Sequence, residues 1–145
     1  MTSQLNVDTI VDKAGSGGTN VKVANTSTYV SDGGSATQNT VQSLAKVFIN
    51  FNGTGTIATR DSFNSSSIVD AGTGHYRVVF TNNMGNVNYT HILNCNNTSA
   101  FNGMFGGFDT GAVANTSQSE FFTCSAHTTN NDSRTVNATV LGDLA

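Results

Sequence analysis

Apolar and polar residues alternate over short stretches along most of the chain after residue 45, which is the pattern of half-buried β-strands. This alternation predicts strands over residues 47–52, 56–60, 67–70, 75–81, 89–95, 120–126 and 134–141. Turns rich in Gly and Asn separate them, and about seven short strands with such turns are typical of an antiparallel β-sandwich. The sequence therefore predicts an all-β, jelly-roll-like antiparallel sandwich over residues 46–145.

The alternation also groups side chains within each strand. Successive side chains of a strand point to opposite sides of the sheet, so residues two apart are expected on one side. The sets predicted to share a face are Tyr76, Val78 and Phe80; Tyr89, His91, Leu93 and Cys95; Phe122, Cys124 and Ala126; and Val136, Ala138 and Val140.

Residues 1–34 are predicted to form a separate N-terminal leader. An alternating stretch at its start, a Gly-rich turn over residues 14–20 and a short return strand together predict a hairpin. A hairpin of this size is not stable alone, so it must pack on the main domain, on sister subunits or on a partner. The apolar side chains expected at this attachment or oligomer interface are Leu5, Val7, Ile10 and Val11.

Residues 35–45 are predicted to be a linker or a short helix between the leader and the sandwich. The Ser-Asp-Gly-Gly-Ser stretch at residues 31–35 is the strongest linker signal. The stretch that follows allows one or two helical turns, on which Val41, Leu44 and Ala45 share a face. Three copies of such a helix would bundle about an axis, so Val41 and Leu44 join the predicted oligomer interface.

The composition favours a β-rich chain over a disordered one. The 145 residues include 19 Asn, 21 Thr, 15 Ser and 15 Gly, whereas only 10% are charged, compared with about 25% in ordinary globular chains. Disorder usually requires few aromatics and a high net charge, but this chain has 9 Phe, 3 Tyr and a net charge of −3. Thr favours strands, and Gly and Asn favour turns. Such β structure is common in fibres and adhesins, where subunit packing supplies additional burial.

The charge pattern argues against nucleic-acid and membrane partners. The 6 Lys and Arg residues are scattered and form no basic patch that would neutralise phosphates. No run of 18 apolar residues predicts a membrane-spanning helix. Residues 1–6 lack the basic and apolar regions of a signal peptide, so we expect synthesis in a cytoplasm.

No residue pattern predicts an enzyme or a cofactor. The chain lacks a Gly-x-Ser-x-Gly elbow, a His-Glu-x-x-His helix and a phosphate-binding loop. His91, Cys95, Cys124 and His127 are potential zinc ligands, but their spacing lacks the paired turns of structural zinc sites. The two cysteines are interpreted as small buried thiols. A disulfide between them stays an alternative, although cytoplasmic synthesis disfavours it.

Residues 101–108 combine three Phe and one Met with three Gly, which predicts a loop rather than a strand. Exposed Phe clusters usually mark contact surfaces, so Phe101, Met104, Phe105 and Phe108 form a candidate contact loop. The alternative is a loop that folds back over one end of the sandwich and closes its core. Its apolar content suits a subunit interface better than a glycan site.

A series of motifs runs from residue 46 to residue 89. The residues that form it are Lys46, Val47, Phe48, Ile49, Asn50, Phe51, Asn52, Gly53, Thr54, Gly55, Arg60, Ser62, Phe63, Asn64, Ser66, Ser67, Ile68, Asp70, Gly72, Gly74, Tyr76, Val78, Phe80, Met84, Asn88 and Tyr89. The series resembles a module of tail-fibre and other virion structural proteins of tailed phages, especially marine ones. Residues 1–34 also resemble, more weakly, the leader that precedes several such proteins.

Two positions depart from the module, since Phe48 stands where Trp is usual and Gly85 stands where Pro is usual. The resemblance implies that Phe48 remains an aromatic core residue and that the turn at Gly85 is looser. It also implies that Asn52, Gly53 and Gly55 shape a turn. The side chains that it assigns to the core are Phe48, Phe51, Tyr76, Val78 and Phe80.

The resemblance implies a non-enzymatic structural protein on the surface of a tailed-phage virion. The first expectation is a homotrimeric appendage (a fibre, spike or knob) that attaches to another virion protein through its leader. Its sandwich would contact polysaccharide or protein on the host surface, and residues 96–132 are the expected place for recognition. The alternative is a capsid decoration protein whose leader adds a strand to capsid sheets. A carbohydrate-binding module of unrelated origin is a lesser alternative.

Overall fold

The computed structural model describes residues 27–30, 37–96, 105–108, 115–126 and 129–145. The regular secondary structure of these residues consists of β-strands. The strands are β1 Thr28–Val30, β2 Thr37–Asn39, β3 Ala45–Asn52, β4 Ala58–Phe63, β5 Ser65–Gly72, β6 His75–Phe80, β7 Thr90–Asn96, β8 Phe105–Phe108, β9 Gln118–Ala126, β10 Thr129–Asn130 and β11 Thr135–Leu141. The chain divides into two compact units, Met1–Val41 and Gln42–Ala145.

The first unit contains an antiparallel hairpin of β1 and β2, in which Tyr29 pairs with Gln38. The Thr40 amide donates to the Ser27 carbonyl at 2.9 Å and extends the ladder by one bond. The helical turns that the sequence allows over residues 37–45 are not formed, because these residues hold β2, a turn and the start of β3. Thr and Asn are weak helix formers, and a single helical turn leaves most of its backbone groups unpaired.

Much of the predicted N-terminal interface lies outside the described residues. This applies to Leu5, Val7, Ile10 and Val11 and to the linker at residues 31–35. Val41 and Leu44 lie between β2 and β3, where Leu44 is 59% exposed. The predicted domain boundaries after residues 34 and 45 stay predictions.

The second unit is an antiparallel β-sandwich, which confirms the predicted fold class. One sheet has the strand order β4-β3-β11-β7, and we call it the four-stranded sheet. The other has the order β10-β9-β6-β5, with β8 also paired to β9, and we call it the five-stranded sheet. All strand pairs are antiparallel. The first and last strands of this unit, β3 and β11, are direct neighbours.

The core lies between the two sheets, and aromatic rings join them. The Phe51 ring of β3 meets the Tyr76 ring of β6 edge-on with centroids 5.0 Å apart, and the Phe121 ring of β9 lies 6.2 Å from Phe51. Such pairs stabilise by about 0.5–1.5 kcal/mol beyond their buried area. The buried apolar cluster consists of Val47, Ile49, Phe51, Tyr76, Val78, Phe80, Met84, Phe121, Val136, Ala138 and Val140.

The predicted alternation is confirmed on β6, β7 and β11, where the burial of successive residues switches at every step. On β9 the side that faces the core carries Ser119, Phe121 and Thr123. The ring of Phe122 lies on the other side of the sheet, against Gly107 of β8. The register of β9 therefore places the second Phe of the Phe-Phe pair outside the core.

The prediction that Phe48 is a core residue is wrong. Val47, Ile49 and Phe51 occupy the inward positions of β3, and the alternation of the strand then turns Phe48 outwards. Phe48 is 37% exposed and stacks on Phe63 of β4 with ring centroids 6.1 Å apart. The aromatic residue at this position therefore belongs to an outer surface.

The prediction of a loop over residues 101–108 is wrong for its second half, because Phe105–Phe108 is β8 and pairs with β9. Two glycines permit this packing. A Cβ at Gly106 would lie 3.0 Å from the Leu93 Cβ, and one at Gly107 would lie 2.7 Å from the Phe122 ring. These glycines therefore allow close approach rather than a turn. Phe101 and Met104 lie outside the described residues, as do the side chains of Phe105 and Phe108.

The hydroxyl of Tyr76 ties one end of the sandwich together. It lies 3.2 Å from the Gly53 carbonyl and 3.3 Å from Asp132 Oδ1, and it accepts from the Ser133 amide at 3.4 Å. The Gly53 amide in turn donates to the Ser133 carbonyl at 2.9 Å. Burial raises the pKa of Tyr76 to about 12. The turn after β3, the strand β6 and the loop before β11 therefore meet at one side chain.

The turn after β3 has the form that the resemblance implies. The Asn52 side chain donates to the Thr54 carbonyl at 3.0 Å and accepts from the Thr54 hydroxyl at 2.9 Å. Gly55 has φ +64°, a left-handed conformation that glycine adopts without strain. The side chain of Asn52 thus replaces backbone bonds within the turn.

Asn64 alone connects a strand of one sheet to a strand of the other, since β4 ends at residue 63 and β5 begins at residue 65. Its φ is +54°, in the left-handed region that Asn tolerates better than most residues. Its side-chain nitrogen Nδ2 donates to the backbone carbonyls of Lys46 at 3.0 Å and Asn82 at 3.1 Å. Its side-chain oxygen accepts from the Asn82 amide at 2.7 Å. Asn64 therefore fixes the corner between the sheets.

Candidate functional site

The outer face of the four-stranded sheet carries a line of exposed apolar side chains. Strand pairing aligns Phe63 of β4, Phe48 of β3, Thr139 of β11 and Ile92 of β7, and we call these residues the apolar row. Phe63 is 53% exposed, Phe48 37% and Ile92 59%. Neighbouring strands lie about 4.8 Å apart, so the row is about 14 Å long. An aligned apolar surface of this kind often marks a contact site.

A second line of side chains runs beside the apolar row and is polar. It consists of Asp61, Asn50, Asn137 and Asn94, and we call it the amide row. The Asn50 amide donates to Asn137 Oδ1, and Arg60 Nη1 donates to Asn50 Oδ1 at 3.3 Å. The outer face therefore combines apolar contact area with directional hydrogen-bonding groups.

A cleft of about 450 Å³ lies at the end of the same sheet. Leu141 pairs with Thr90 two residues beyond the Thr139–Ile92 pair, so the cleft lies beside the β7 end of the apolar row. Gln42 Nε2 donates to Asp143 Oδ2 at 3.2 Å across its rim. We call it the Leu141 cleft, and its lining includes Gln42, Asn88, Tyr89, Thr90, Leu141 and Asp143.

Tyr89 also lines the Leu141 cleft, and its ring packs towards the core. The Tyr89 hydroxyl lies 2.8 Å from the Asn115 carbonyl and 2.9 Å from the Gln118 carbonyl. The ring of Tyr89 packs edge-on against Phe80 and His91, with centroid distances of 6.1 and 5.2 Å. Burial raises the pKa of Tyr89. The ring is therefore held in one orientation.

The acidic wall of the Leu141 cleft is fixed through its backbone. The Gly85 amide donates to the Asp143 carbonyl at 2.7 Å, and Met84 forms a bridge with Leu144. A Pro at position 85 would have no amide hydrogen for this bond. The turn at Gly85, which the resemblance implies to be looser, is thus tied to the chain segment that carries Asp143.

Beneath the outer face, His91 of β7 hydrogen-bonds through Nε2 to the Ser119 hydroxyl of β9. Burial lowers the pKa of His91 to about 4, so the ring is neutral at physiological pH. A Ser-His pair is the first element of a nucleophilic site, but Ser119 is only 3% exposed. A substrate cannot reach this hydroxyl, and the pair instead links the two sheets through the core.

We expect the protein to lose stability as the pH falls from about 6.5 towards 4. The pKa of His91 is about 4 in the folded chain and about 6.5 in an unfolded chain, so the unfolded state takes up the proton first. The stabilisation is complete above pH 6.5 and declines as the pH falls through this window. Since the ring is only partly buried, we expect a loss of about 1–2 kcal/mol.

Urea unfolding followed by circular dichroism at pH 7.5, 5.5 and 4.0 measures this loss. In His91→Gln an amide can still hydrogen-bond to Ser119 and does not titrate, so its stability should change less over the window. An equal loss in this variant would assign the pH dependence to other groups.

The other chemistry-bearing residues form no reactive centre among the described parts of the chain. Cys95 and Cys124 are thiols that form no disulfide with each other, and burial raises the pKa of Cys95, which disfavours the reactive thiolate. No group of three or more His, Cys, Asp or Glu within the described ranges is placed to hold a metal ion. His127 lies outside those ranges. None of the described elements is a helix long and apolar enough to cross a membrane.

The contact residues predicted from the sequence lie in the N-terminal segment and in residues 101–108. The sequence does not predict most of the apolar row or of the Leu141 cleft. Ile92 carried the only visible signal, since it interrupts the polar side of β7 between Thr90 and Asn94. Phe63 and Asp143 gave no signal, because their position depends on which strands are neighbours. No protein-family model, curated protein or solved structure matches the chain.

Proposed function

We propose that the chain is a non-enzymatic structural protein of a tailed-phage virion and acts as a homotrimeric surface appendage. The motif resemblance over residues 46–89 supports the particle assignment. The apolar row carries the oligomeric assignment, because Phe63, Phe48 and Ile92 are aligned and exposed on one face of an isolated subunit. Burial of such half-exposed side chains contributes about 1 kcal/mol each.

The amide row supports the same use of this face. Three of its four residues, Asn50, Asn137 and Asn94, are uncharged, so their burial against another subunit avoids the large desolvation cost of charges. The fourth, Asp61, is charged and lies on the edge strand β4, so it must stay at the rim of the contact. Amide side chains both donate and accept hydrogen bonds, so they can pair with either kind of polar group on a sister subunit. In this proposal the leader, residues 1–34, attaches to another virion protein, and the appendage lies on the virion surface.

We expect light scattering of the full chain, at low and high concentration, to give a mass near three times 15.1 kDa. Because the apolar row lies in the proposed interface, the double variant Phe48→Thr and Ile92→Thr should shift the mass towards that of the monomer. The control is Val69→Thr on the five-stranded sheet, since Val69 is 37% exposed, as Phe48 is. It should leave the trimer intact.

Circular dichroism confirms that each variant keeps its β signal. A wild-type monomer at both concentrations would overturn the trimeric proposal. If the double variant remains a trimer, the subunit interface lies on another face of the sandwich.

A capsid decoration protein is the second candidate function. The resemblance over residues 46–89 covers virion structural proteins in general, so it supports a location on the head as well as on the tail. The same outer face would then contact capsid subunits or sister copies. Copy number on purified particles separates the two functions, since decoration requires hundreds of copies and a tail appendage requires tens or fewer.

A further inference from the structure

We infer that the Leu141 cleft binds a neutral saccharide. The inference rests on the proposed function only for the source of the ligand, which would be polysaccharide on a host surface. Binding itself is argued from the side chains of the cleft. Its volume, about 450 Å³, lies within the range of small-molecule sites, about 300–1,000 Å³.

The polar groups of the cleft match those of a sugar. The Asp143 carboxylate has about four lone-pair sites, so it can accept from ligand hydroxyls as well as from Gln42. Side-chain amides at Gln42 and Asn88 offer both donors and acceptors, and Thr90 adds a hydroxyl. A sugar hydroxyl also donates and accepts at once. A carboxylate beside an amide therefore suits two adjacent hydroxyls of one sugar ring.

The apolar groups of the cleft match the carbon-hydrogen face of a sugar ring. Leu141 provides apolar surface in the lining, whereas the Tyr89 ring packs behind it against Phe80 and His91. Beyond Thr90, the exposed Ile92 begins the apolar row. Because the apolar row lies in the proposed subunit interface, the bound saccharide is confined to the cleft itself.

The charge of the cleft selects a neutral ligand over an acidic one. Asp143 contributes a negative charge to the lining, and the whole chain has a net charge of −3. Lys46 interacts electrostatically with Asp143. However, Lys46 is only 4% exposed and donates to the Leu44 carbonyl at 2.9 Å, so it does not meet an anion from solvent.

The test is isothermal titration of the full chain with maltotriose, cellotriose, laminaritriose, mannotriose and chitotriose, with trigalacturonate as the acidic counterpart. We expect at least one neutral trisaccharide to bind more tightly than trigalacturonate. Asp143→Asn and Gln42→Ala should each weaken binding about tenfold, because each removes a polar contact. Gln38→Ala is the matched control, since Gln38 is exposed on β2 and lies outside the cleft lining.

Each outcome decides the inference. Neutral binding that both cleft variants weaken and Gln38→Ala leaves unchanged supports it. Absence of neutral binding at about 10 mM ligand, preference for trigalacturonate, or binding that neither variant changes overturns it. Light scattering of the same samples keeps the two proposals apart. A trimer that binds no neutral sugar overturns only the saccharide site, whereas a monomer whose binding depends on Asp143 overturns only the trimeric appendage.

Discussion

Gly53→Ala should lower the free energy of unfolding by about 3–4 kcal/mol. A Cβ at position 53 would lie 2.7 Å from Tyr76 Cζ and 2.9 Å from the Ser133 carbonyl oxygen, and closer still to the Tyr76 hydroxyl. The Tyr76 ring cannot retreat, because it is fully buried against Phe51 and Phe121. Overpacking and the loss of the hydroxyl's bonds both contribute.

Gly55→Ala is the matched control in the same turn. A Cβ there would meet nothing within 4 Å, but φ is +64°, so only backbone strain of about 1 kcal/mol is expected. Urea unfolding of the two variants measures both losses. Tyr76→Phe should recover part of the loss when combined with Gly53→Ala, since it removes the nearest clashing atom. Equal losses in the two glycine variants would contradict the steric explanation.

Asn64→Ala should cost about 3 kcal/mol. The substitution removes the donors to Lys46 and Asn82 and the acceptor for the Asn82 amide, and hydrogen bonds of this kind contribute about 1 kcal/mol each. It also places Ala at a φ of +54°, which is strained for a residue with an unbranched apolar side chain. Thermal and urea unfolding both report this loss.

Two further variants separate the causes at this corner. Asn64→Gly also loses the side-chain hydrogen bonds, but glycine adopts this φ without strain. It should therefore be more stable than Asn64→Ala and less stable than the wild type. Asn64→Asp keeps the acceptor for the Asn82 amide and loses both donors. A glycine variant as stable as the wild type would show that the side chain does not hold the corner.

The sequence predicts the sandwich because strand alternation is a local property. On β6 and β11 the inward residues can be read from one strand at a time, and the structure buries them as expected. The sequence of one strand does not always decide which of its two sides faces the core. Phe48 and Phe122 are large apolar residues, yet their neighbours Ile49 and Phe121 occupy the core positions, and only the packed sheets decide between them.

The candidate site could not be predicted in the same way, because strand register creates it. Phe63, Phe48 and Ile92 come from three strands and align only through pairing with β3 and β11. The Leu141 cleft likewise joins Gln42 to Asp143, two residues far apart in sequence. The Phe-rich stretch had the stronger local signal, but its second half lies along β9, where its two glycines serve close packing.

The pairing of β3 with β11 has a consequence for how the protein is made. Val140 pairs with Val47 and Ala138 pairs with Ile49, so the centre of the four-stranded sheet joins the first and last strands of the unit. During translation, the edge of β3 that pairs with β11 stays without its partner strand until residue 141 has left the ribosome. Contacts between such distant residues also slow folding. The nascent chain therefore carries an unpaired strand edge during that interval, and such an edge makes chaperone protection valuable.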